Sequence, residues 1–340
     1  MSQPANANQP PTPAPYDYDV IIVGGGPAGL SAALVLGRCR RSVLVIDAGH
    51  PRNYASRAAH NYLTRDGILP RELLRLAREE VATYGVEFRQ GVVAHATCLK
   101  PGYRVQLLSG VEATCRRILL ATGVTDVLPD IPNLEAMYGL GVHHCPYCDA
   151  YEYADQPLAA LGEPKKALGL AANLLTWSPH VTACSNGKPF NTIQKRRARQ
   201  LGIALRDERI TSLEALVGGT TESPLYGDPR QETALDTPPP GAGPHRLGRV
   251  CFAAGMPLAV SALFFNTGQV QRSNLPFALG CGKDDNGGVH RDARQRTGVK
   301  DVYLAGDASR DVQFVIVAAA EGAKAGMAIN ADFQKDERGF

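Results

Sequence analysis

Nothing in these 340 residues is long and apolar enough to cross a bilayer. The most apolar run, VIIVGGGPAGLSAALVLG (20–37), is broken by glycines, whereas a spanning helix needs about 20 predominantly apolar residues. The first fifteen residues, MSQPANANQPPTPAP, lack the charged start and apolar centre of an export signal. They read as part of a disordered arm over 1–16, and the cytoplasm is the expected compartment. A strong charge of one sign is also missing. The formal net charge is +3, with no dense Lys/Arg stripe, which excludes nucleic acid and anionic membrane as expected partners. The one basic cluster, QKRRARQ (194–200), reads as a solvated helix face. No period of 20–50 residues repeats, so a solenoid is excluded. The eight cysteines are scattered, save one close pair, over a chain too long to need disulfide staples.

What is present is a chain of two-domain length with an α/β rhythm. YDVIIVGGGPAGLSAALVLGRCRRSVLVID (18–47) reads as strand, Gly-rich turn, helix, strand. PRELLRLAREEVATYG (70–85) is an amphipathic helix opened by Pro70 and ended by Gly85. The alternating runs VEFRQGVVAHATCL and YRVQLLSG predict a small antiparallel meander, and RRILLATG (116–123) returns to a buried strand. A second βαβ-like unit starts at QPLAALG (156–162), with a helix over 165–177 and a strand at 180–185. Residues 218–248, rich in Gly, Pro and Thr, read as an exposed insertion. MPLAVSALFFNTG (256–268) reads as a buried strand, and VYLAGDAS (302–309) with a long helix over 311–330 closes the chain.

Gly24-Gly25-Gly26-Pro27-Ala28-Gly29 follows a strand and opens a helix, and Asp47 ends the next strand. That context makes G-x-G-x-x-G a dinucleotide-binding signal. Gly24 allows the tight turn, Gly26 the approach of a pyrophosphate, and Gly29 close helix–strand packing. Pro27 and Ala28 form the helix start that faces the negative charge, and Asp47 would accept from ribose hydroxyls. The other motif, GVHHCPYCDAYE (141–152), holds Cys145 and Cys148. On spacing alone the pair is a redox disulfide or, with His143 or His144, a metal half-site. No second Cys-x-x-Cys exists, and no metal is expected.

LLATG (119–123) and VYLAGDAS resemble the two further fingerprints of two-dinucleotide flavoproteins. The order GGGPAGLSAA, ATG, CPYCD, AGDAS resembles the low-molecular-weight thioredoxin reductases, class II of the FAD-dependent pyridine nucleotide-disulfide oxidoreductases, over roughly residues 17–335. The resemblance implies an α/β fold of two Rossmann-like dinucleotide-binding domains (the FAD/NAD(P)-binding fold), the second inserted in the first. FAD would be held by 17–126 and 254–335; 127–253 would carry the dithiol, and 336–340 would be a tail. In the family the second cysteine, here Cys148, lies against the flavin C4a and the first, Cys145, exchanges with the substrate disulfide. The Asp that follows, Asp149, serves as acid/base. Ala121, Thr122, Gly123, Gly306 and Asp307 fall in the FAD fingerprints, with Asp307 matching the residue that bonds the ribitol. His144 joins the candidate catalytic set, as a group able to stabilise a thiolate or the reduced flavin's charge; the alternative is a solvated turn histidine.

Three stretches depart from the family. Where NADPH would bind, LGEPKKALGLAA (161–172) keeps Gly162 and Ala167 but has Pro164 in place of the middle glycine. Proline offers no N–H and blocks close approach of a phosphate. The basic segment for the 2′-phosphate reads CSNGK (184–188), and Lys165 and Lys166 are weak substitutes. The Arg-Gln-Ala at the start of the last helix reads Gln313-Phe314-Val315, which makes Gln313 and Phe314 the flavin-side candidates here. The expectation is therefore an FAD-dependent dithiol/disulfide oxidoreductase whose donor is not NADPH. The alternatives are a conventional NADPH-dependent thioredoxin reductase and an oxygen-dependent dithiol oxidase. Expected partners are a thioredoxin-like protein or small thiol, ferredoxin as donor, and a second copy in a homodimer. Phe340 is either a flavin cover or a frayed end.

Overall fold

The computed structural model describes residues 16–215, 246–285, 287–310 and 312–339. The expected N-terminal arm, nearly all of the 218–248 insertion and Phe340 lie outside the described residues. Contacts divide the chain into one unit within Met1–His50, Ala77–Gly123 and Ser273–Phe340, and another within Pro51–Leu76 and Val124–Arg272. The crossovers thus fall at 123/124 and 272/273, where the sequence places them near 126 and 254, and the segment 51–76 groups with the second unit.

In the first unit, β1 (Tyr18–Val23) pairs in parallel with β2 (Val43–Asp47) and with β6 (Glu112–Leu120). β3 (Glu87–Gln90) extends the parallel side against β2, and β17 (Val302–Leu304) also pairs with β6. β4 (Val93–Cys98) and β5 (Tyr103–Leu107) form an antiparallel ribbon on the first half of β6. The predicted meander is therefore corrected in part: its first strand, β3, is a parallel edge strand. β1 is apolar along most of its length because both faces are covered. Val20 and Ile22 belong to one core with Leu36 and Phe333, while Ile21 and Val23 belong to another with Leu44, Ile46, Val105 and Leu120.

Helix α1 (Pro27–Arg38) starts where Gly26 is extended and Pro27 occupies the first position, which needs no N–H donor. Helix α7 (Val315–Arg338) starts later than the predicted 311 because Phe314 is still extended, and it runs on to Gly339, whose φ of 72° ends it. α1 and α7 cross at van der Waals closeness. A Cβ on Gly322 would stand 2.0 Å from the Ala28 carbonyl oxygen, and one on Gly326 2.9 Å from Val35 Cβ. Two glycines one turn apart thus fix the base of the α1 N-terminus. Short helix α6 (Leu275–Ala278) covers the ribbon side. Amphipathic α2 (Pro70–Ala82) begins at its predicted proline.

In the second unit a parallel sheet runs β11 (Ala204–Arg206), β10 (Val181–Cys184), β9 (Leu158–Leu161), β15 (Ala262–Phe265) and β8 (Val142–His143). Helix α4 (Pro164–Leu174) follows β9. Helix α5 (Thr192–Leu201) follows β10, opened by an Asn191/Gln194 capping box. An antiparallel set of β12 (Ile210–Ala215), β13 (Leu247–Phe252) and β14 (Leu258–Ala259) packs beside it, and β7 (Val124–Asp126) pairs with β16 (Gln269–Gln271). The single strand expected over 256–268 is corrected: β14 and β15 divide it, and only β15 is wholly buried. Short helix α3 (Pro146–Asp149) lies just after β8 and carries the dithiol.

Candidate active site

The first candidate region gathers around the start of α1. Gly24 has φ 113°, a conformation that favours glycine. A Cβ there would lie 2.2 Å from the Ala121 carbonyl oxygen, and one on Gly29 would lie 1.9 Å from the Gly24 carbonyl oxygen. These two glycines serve packing within the chain. Gly26 differs: a Cβ there would meet nothing within 4 Å. The open space lies over the α1 N-terminus, whose first turn holds no acidic side chain. A helix start of that kind favours an anion.

Around it the structure brings the other expected residues. Ala28 lies under Gly306, where a Cβ would come within 2.9 Å of the Ala28 Cβ. Gly306 has φ 82° and leads into the 3-10 turn Asp307–Ser309. Its N–H donates to the buried Glu321 carboxylate at 2.8 Å, and Arg291 pairs with the other oxygen of that carboxylate. Gln313 Nε2 donates to the Asp307 carbonyl at 3.4 Å, and Phe314 precedes α7. Asp47 lies against Gly25 and is paired with Arg78. Beside Gly123 (φ 66°), the Thr122 Oγ1 is buried with no hydrogen-bond partner. A buried hydroxyl is costly unless it is satisfied. The open glycine, the acid-free helix start and the orphaned hydroxyl together fit a phosphate-bearing dinucleotide.

The matching turn of the second unit has different chemistry. Pro164 occupies the first position of α4, and Glu163 precedes it as the helix cap. Glu163 Oε1 is paired with Lys188 Nζ at 2.7 Å, with both side chains well exposed. An acid thus stands where a diphosphate would need donors, and it engages the one lysine of CSNGK.

The second candidate region is the dithiol. Cys145 and Cys148 form a disulfide, with their Cα atoms 5.3 Å apart. Cys145 caps α3, and its carbonyl accepts from the N–H groups of Cys148 at 3.2 Å and Asp149 at 3.3 Å. The stretch before α2 holds this turn: Asn61 Nδ2 donates to the Tyr147 carbonyl at 2.8 Å. Tyr147 meets Trp177 edge to face, with ring centres 5.4 Å apart. His60 Nε2 lies 3.3 Å from Glu152 Oε1.

Asp149 and both histidines line one cavity together with Arg52, Ser56 and Tyr138. His143 Nδ1 is 3.3 Å from Asp149 Oδ1. Burial pushes the Asp149 carboxyl up, but His143, His144 and His60 outweigh it and hold the group below the usual carboxylate range. His144 Nδ1 is 2.8 Å from the Tyr138 hydroxyl, and its Nε2 is 3.9 Å from Asp126 Oδ2. Burial lowers the His144 pKa more than Asp126 raises it, so the ring is neutral near pH 7. Burial likewise raises the Asp126 carboxyl, and the Arg52 fork reverses that at 2.8 and 2.7 Å. The Tyr138 hydroxyl is pushed above its ordinary value, first by burial and then by Asp126.

Of the expected catalytic set, Cys145, Cys148, Asp149 and His144 are brought together in the second unit. The expected cofactor residues Gly24, Gly26, Pro27, Ala28, Gly29, Asp47, Ala121, Thr122, Gly123, Gly306, Asp307, Gln313 and Phe314 all lie in the first. Sequence reasoning missed Arg52, Asp126, Tyr138 and Glu321. None stands in a motif; only their contacts reveal them. Among the described residues no cluster of His, Cys, Asp and Glu is arranged to hold a metal, and no helix is long and apolar enough to cross a membrane.

Comparison with known proteins finds relatives over most of the chain. The sequence profile of the pyridine nucleotide-disulphide oxidoreductases matches residues 18–216 and 236–322. A "Probable thioredoxin reductase" of Arthroderma benhamiae is 29% identical over 336 residues, covering 92% of this chain and 79% of that one. The thioredoxin reductase of Listeria monocytogenes is 26% identical over 314 residues, covering 91% and 92%. Among solved structures, HlmI superposes with a TM-score of 0.83 at 31% identity, covering 94% of this chain and 93% of that one.

Proposed function

The chain belongs to the pyridine nucleotide-disulphide oxidoreductase family, as a flavoprotein disulfide oxidoreductase of thioredoxin-reductase type, and from that membership we propose that it moves two electrons between FAD and the Cys145–Cys148 disulfide with a donor other than NADPH. FAD, when bound, supplies the two-electron exchange with the dithiol. Gly26 and the α1 start would hold its pyrophosphate, Asp47 its ribose, and Thr122, Gly306 and Asp307 the remainder. The FAD-binding domain is read as 17–126 with 254–335. Cys145 exchanges with the disulfide of a thioredoxin-like protein or small thiol, Cys148 resolves the mixed disulfide, and Asp149 handles the proton. Ferredoxin as donor, a homodimer and a cytoplasmic setting complete the reading.

The observation that carries the donor assignment is the α4 start, where Pro164 removes a donor and Glu163 adds a negative charge held by Lys188. That turn repels a diphosphate that the α1 turn would attract. The test is anaerobic stopped-flow absorbance of the FAD-loaded protein. Micromolar NADPH and NADH are expected to leave the flavin oxidised on the time scale of turnover, whereas reduced ferredoxin bleaches it. Rapid bleaching by NADPH would establish the conventional thioredoxin reductase instead. A second reading is favoured by the Asp149 carboxylate, held ionised beside His143, since that form can take the proton of an incoming thiol. Oxygen uptake with a dithiol substrate supports that direction, and its absence excludes it.

A further inference from the structure

His143 and His144 are neighbours in sequence, yet their rings are held under opposite constraints. The His143 Nε2 receives the Gly141 backbone N–H at 3.2 Å and stands 3.2 Å from the Tyr153 hydroxyl. A backbone N–H only donates, so Nε2 must present its lone pair. The ring proton of His143 therefore sits on Nδ1, facing Asp149 Oδ1 at 3.3 Å. The ring is buried and stacked on Phe264 with centres 5.5 Å apart, which opposes a flip. A second proton on Nε2 would point at the Gly141 N–H and cost that bond.

His144 has no such lock. Its Nδ1 meets a tyrosine hydroxyl, which both donates and accepts. With the proton on Nδ1, the ring donates to the Tyr138 oxygen, and Tyr138 turns its own proton to Asp126 Oδ2 at 3.5 Å. With the proton on Nε2, facing Asp126, Tyr138 donates back to Nδ1. Both tautomers keep the Tyr138 contact, so a proton can enter at one nitrogen and leave at the other. The charged and titratable groups around this ring are Asp126, Arg52, Tyr138, Asp149 and His143, with His60 beyond Asp149 and Tyr54 beyond Tyr138. Asp149 opens on the same cavity.

We propose that His144, through Tyr138 and Asp126, passes the dithiol's proton between Asp149 and solvent, while His143 is a positioning residue that fixes the Asp149 carboxylate. This rests on Cys145 and Cys148 being the redox pair. The reduced pair reacts with a disulfide R–S–S–R′ in two exchanges. The Cys145 thiolate forms Cys145–S–S–R and expels R′–S⁻, which takes a proton that enters from solvent through His144 and Asp149. Cys148 gives its own proton to the Asp149 carboxylate, attacks the Cys145 sulfur and expels R–S⁻, which takes that proton from Asp149. Two thiols leave, one disulfide has been reduced and one formed, and the reverse order describes dithiol oxidation.

The test uses FAD-loaded protein labelled with ¹⁵N-histidine and the variants H143Q, H144Q and Y138F. Long-range ¹H–¹⁵N spectra of the neutral rings are expected to show His143 as the Nδ1–H tautomer, with His144 populating both tautomers. In parallel, the dithiothreitol-reduced protein is reacted with 5,5′-dithiobis(2-nitrobenzoate) across about pH 5.5–8.5. H144Q and Y138F should remove one limb of the pH–rate profile and slow exchange by about tenfold or more on that limb. H143Q should lower the rate at every pH and keep the limb. An Nε2–H tautomer at His143, or loss of the limb in H143Q with its retention in H144Q, overturns the assignment. Exchange that persists unchanged in C145S and C148S would instead remove the redox reading beneath it.

Discussion

Replacing Arg52 by Met removes the partner of a carboxylate that has nowhere to go. Asp126 is only 6% exposed and Arg52 15%, and the guanidinium meets it as a two-bond fork at 2.8 and 2.7 Å. Gln269 adds a third donor at 3.2 Å to Oδ1. Breaking a buried pair from one side costs about 3–5 kcal/mol, because the remaining charge stays in a poor dielectric. For a unit of roughly 150–250 residues, at about 2–4 °C per kcal/mol, that corresponds to a fall of about 6 °C or more in Tm. Trp177 is the only tryptophan in the chain and lies in the second unit, so its fluorescence in a urea titration reports the unit that holds the pair. The pH dependence has a definite sign. With Arg52 present, the folded Asp126 pKa is depressed. Its stabilisation is complete above the unfolded value of about 3.9 and is lost as pH falls through the lower folded value. In the Met variant only burial remains dominant and pushes the carboxyl up, so Asp126 takes a proton while still folded. The gap between wild type and variant should be largest at neutral pH and shrink as pH falls through the variant's raised folded value. Adding Asp126→Leu should recover most of the loss, because no uncompensated charge remains. A loss below about 1 kcal/mol at pH 7, typical of an exposed pair, would refute the reasoning. So would a double variant no better than Arg52→Met.

Two further outcomes separate packing from ligand binding in the first unit. Gly26→Ala should leave the melting of FAD-free protein unchanged, since its Cβ meets no atom of the chain, yet weaken FAD binding by at least about tenfold, or about 1.4 kcal/mol; Gly29→Ala, whose Cβ would stand 1.9 Å from the Gly24 carbonyl oxygen, should destabilise the FAD-free protein itself, as thermal melts with and without FAD would show. Phe333→Ala should cost about 3–5 kcal/mol by circular dichroism in urea, because that fully buried ring is ringed by the guanidiniums of Arg41, Arg116 and Arg117 at 4.4, 4.3 and 3.9 Å from its centre.

The elements legible in the sequence are those whose cause is local. α1 is readable because a buried β-strand, a run of glycines and a first-position proline occur in close succession, and α5 carries its own capping box. The start of α7 is less legible, since Gln313 and Phe314 precede the helix although nothing in their residue types forbids one. β3 reads as part of an antiparallel ribbon because alternation reports which face is buried, not the direction of the partner strand. The division of 256–268 into β14 and β15 follows from a change of sheet: Leu258 pairs with Val250, whereas Ala262 pairs with Leu158.

The dithiol region shows the same limit where it matters for chemistry. The pair Cys145–Cys148 and the acid at 149 are spelled out in one short motif, but what decides their proton traffic is not. Arg52 and Asp126 stand 74 positions apart in sequence, and neither resembles a motif residue. The difference between His143 and His144 rests on which atoms face each ring: a backbone N–H that can only donate, against a hydroxyl that does either. Residue type cannot encode that difference, because both positions are histidine. β8 does encode it: His143 pairs in register with Phe264 and stacks on its ring, and the next residue along the chain points the other way, toward Tyr138. A one-residue slip of β8 against β15 would turn His143 away from Phe264 and His144 away from Tyr138. The assignment of acid–base duties is therefore a consequence of strand register, and a variant that shifts that register should lose the His143–Phe264 stack and the His144–Tyr138 contact together.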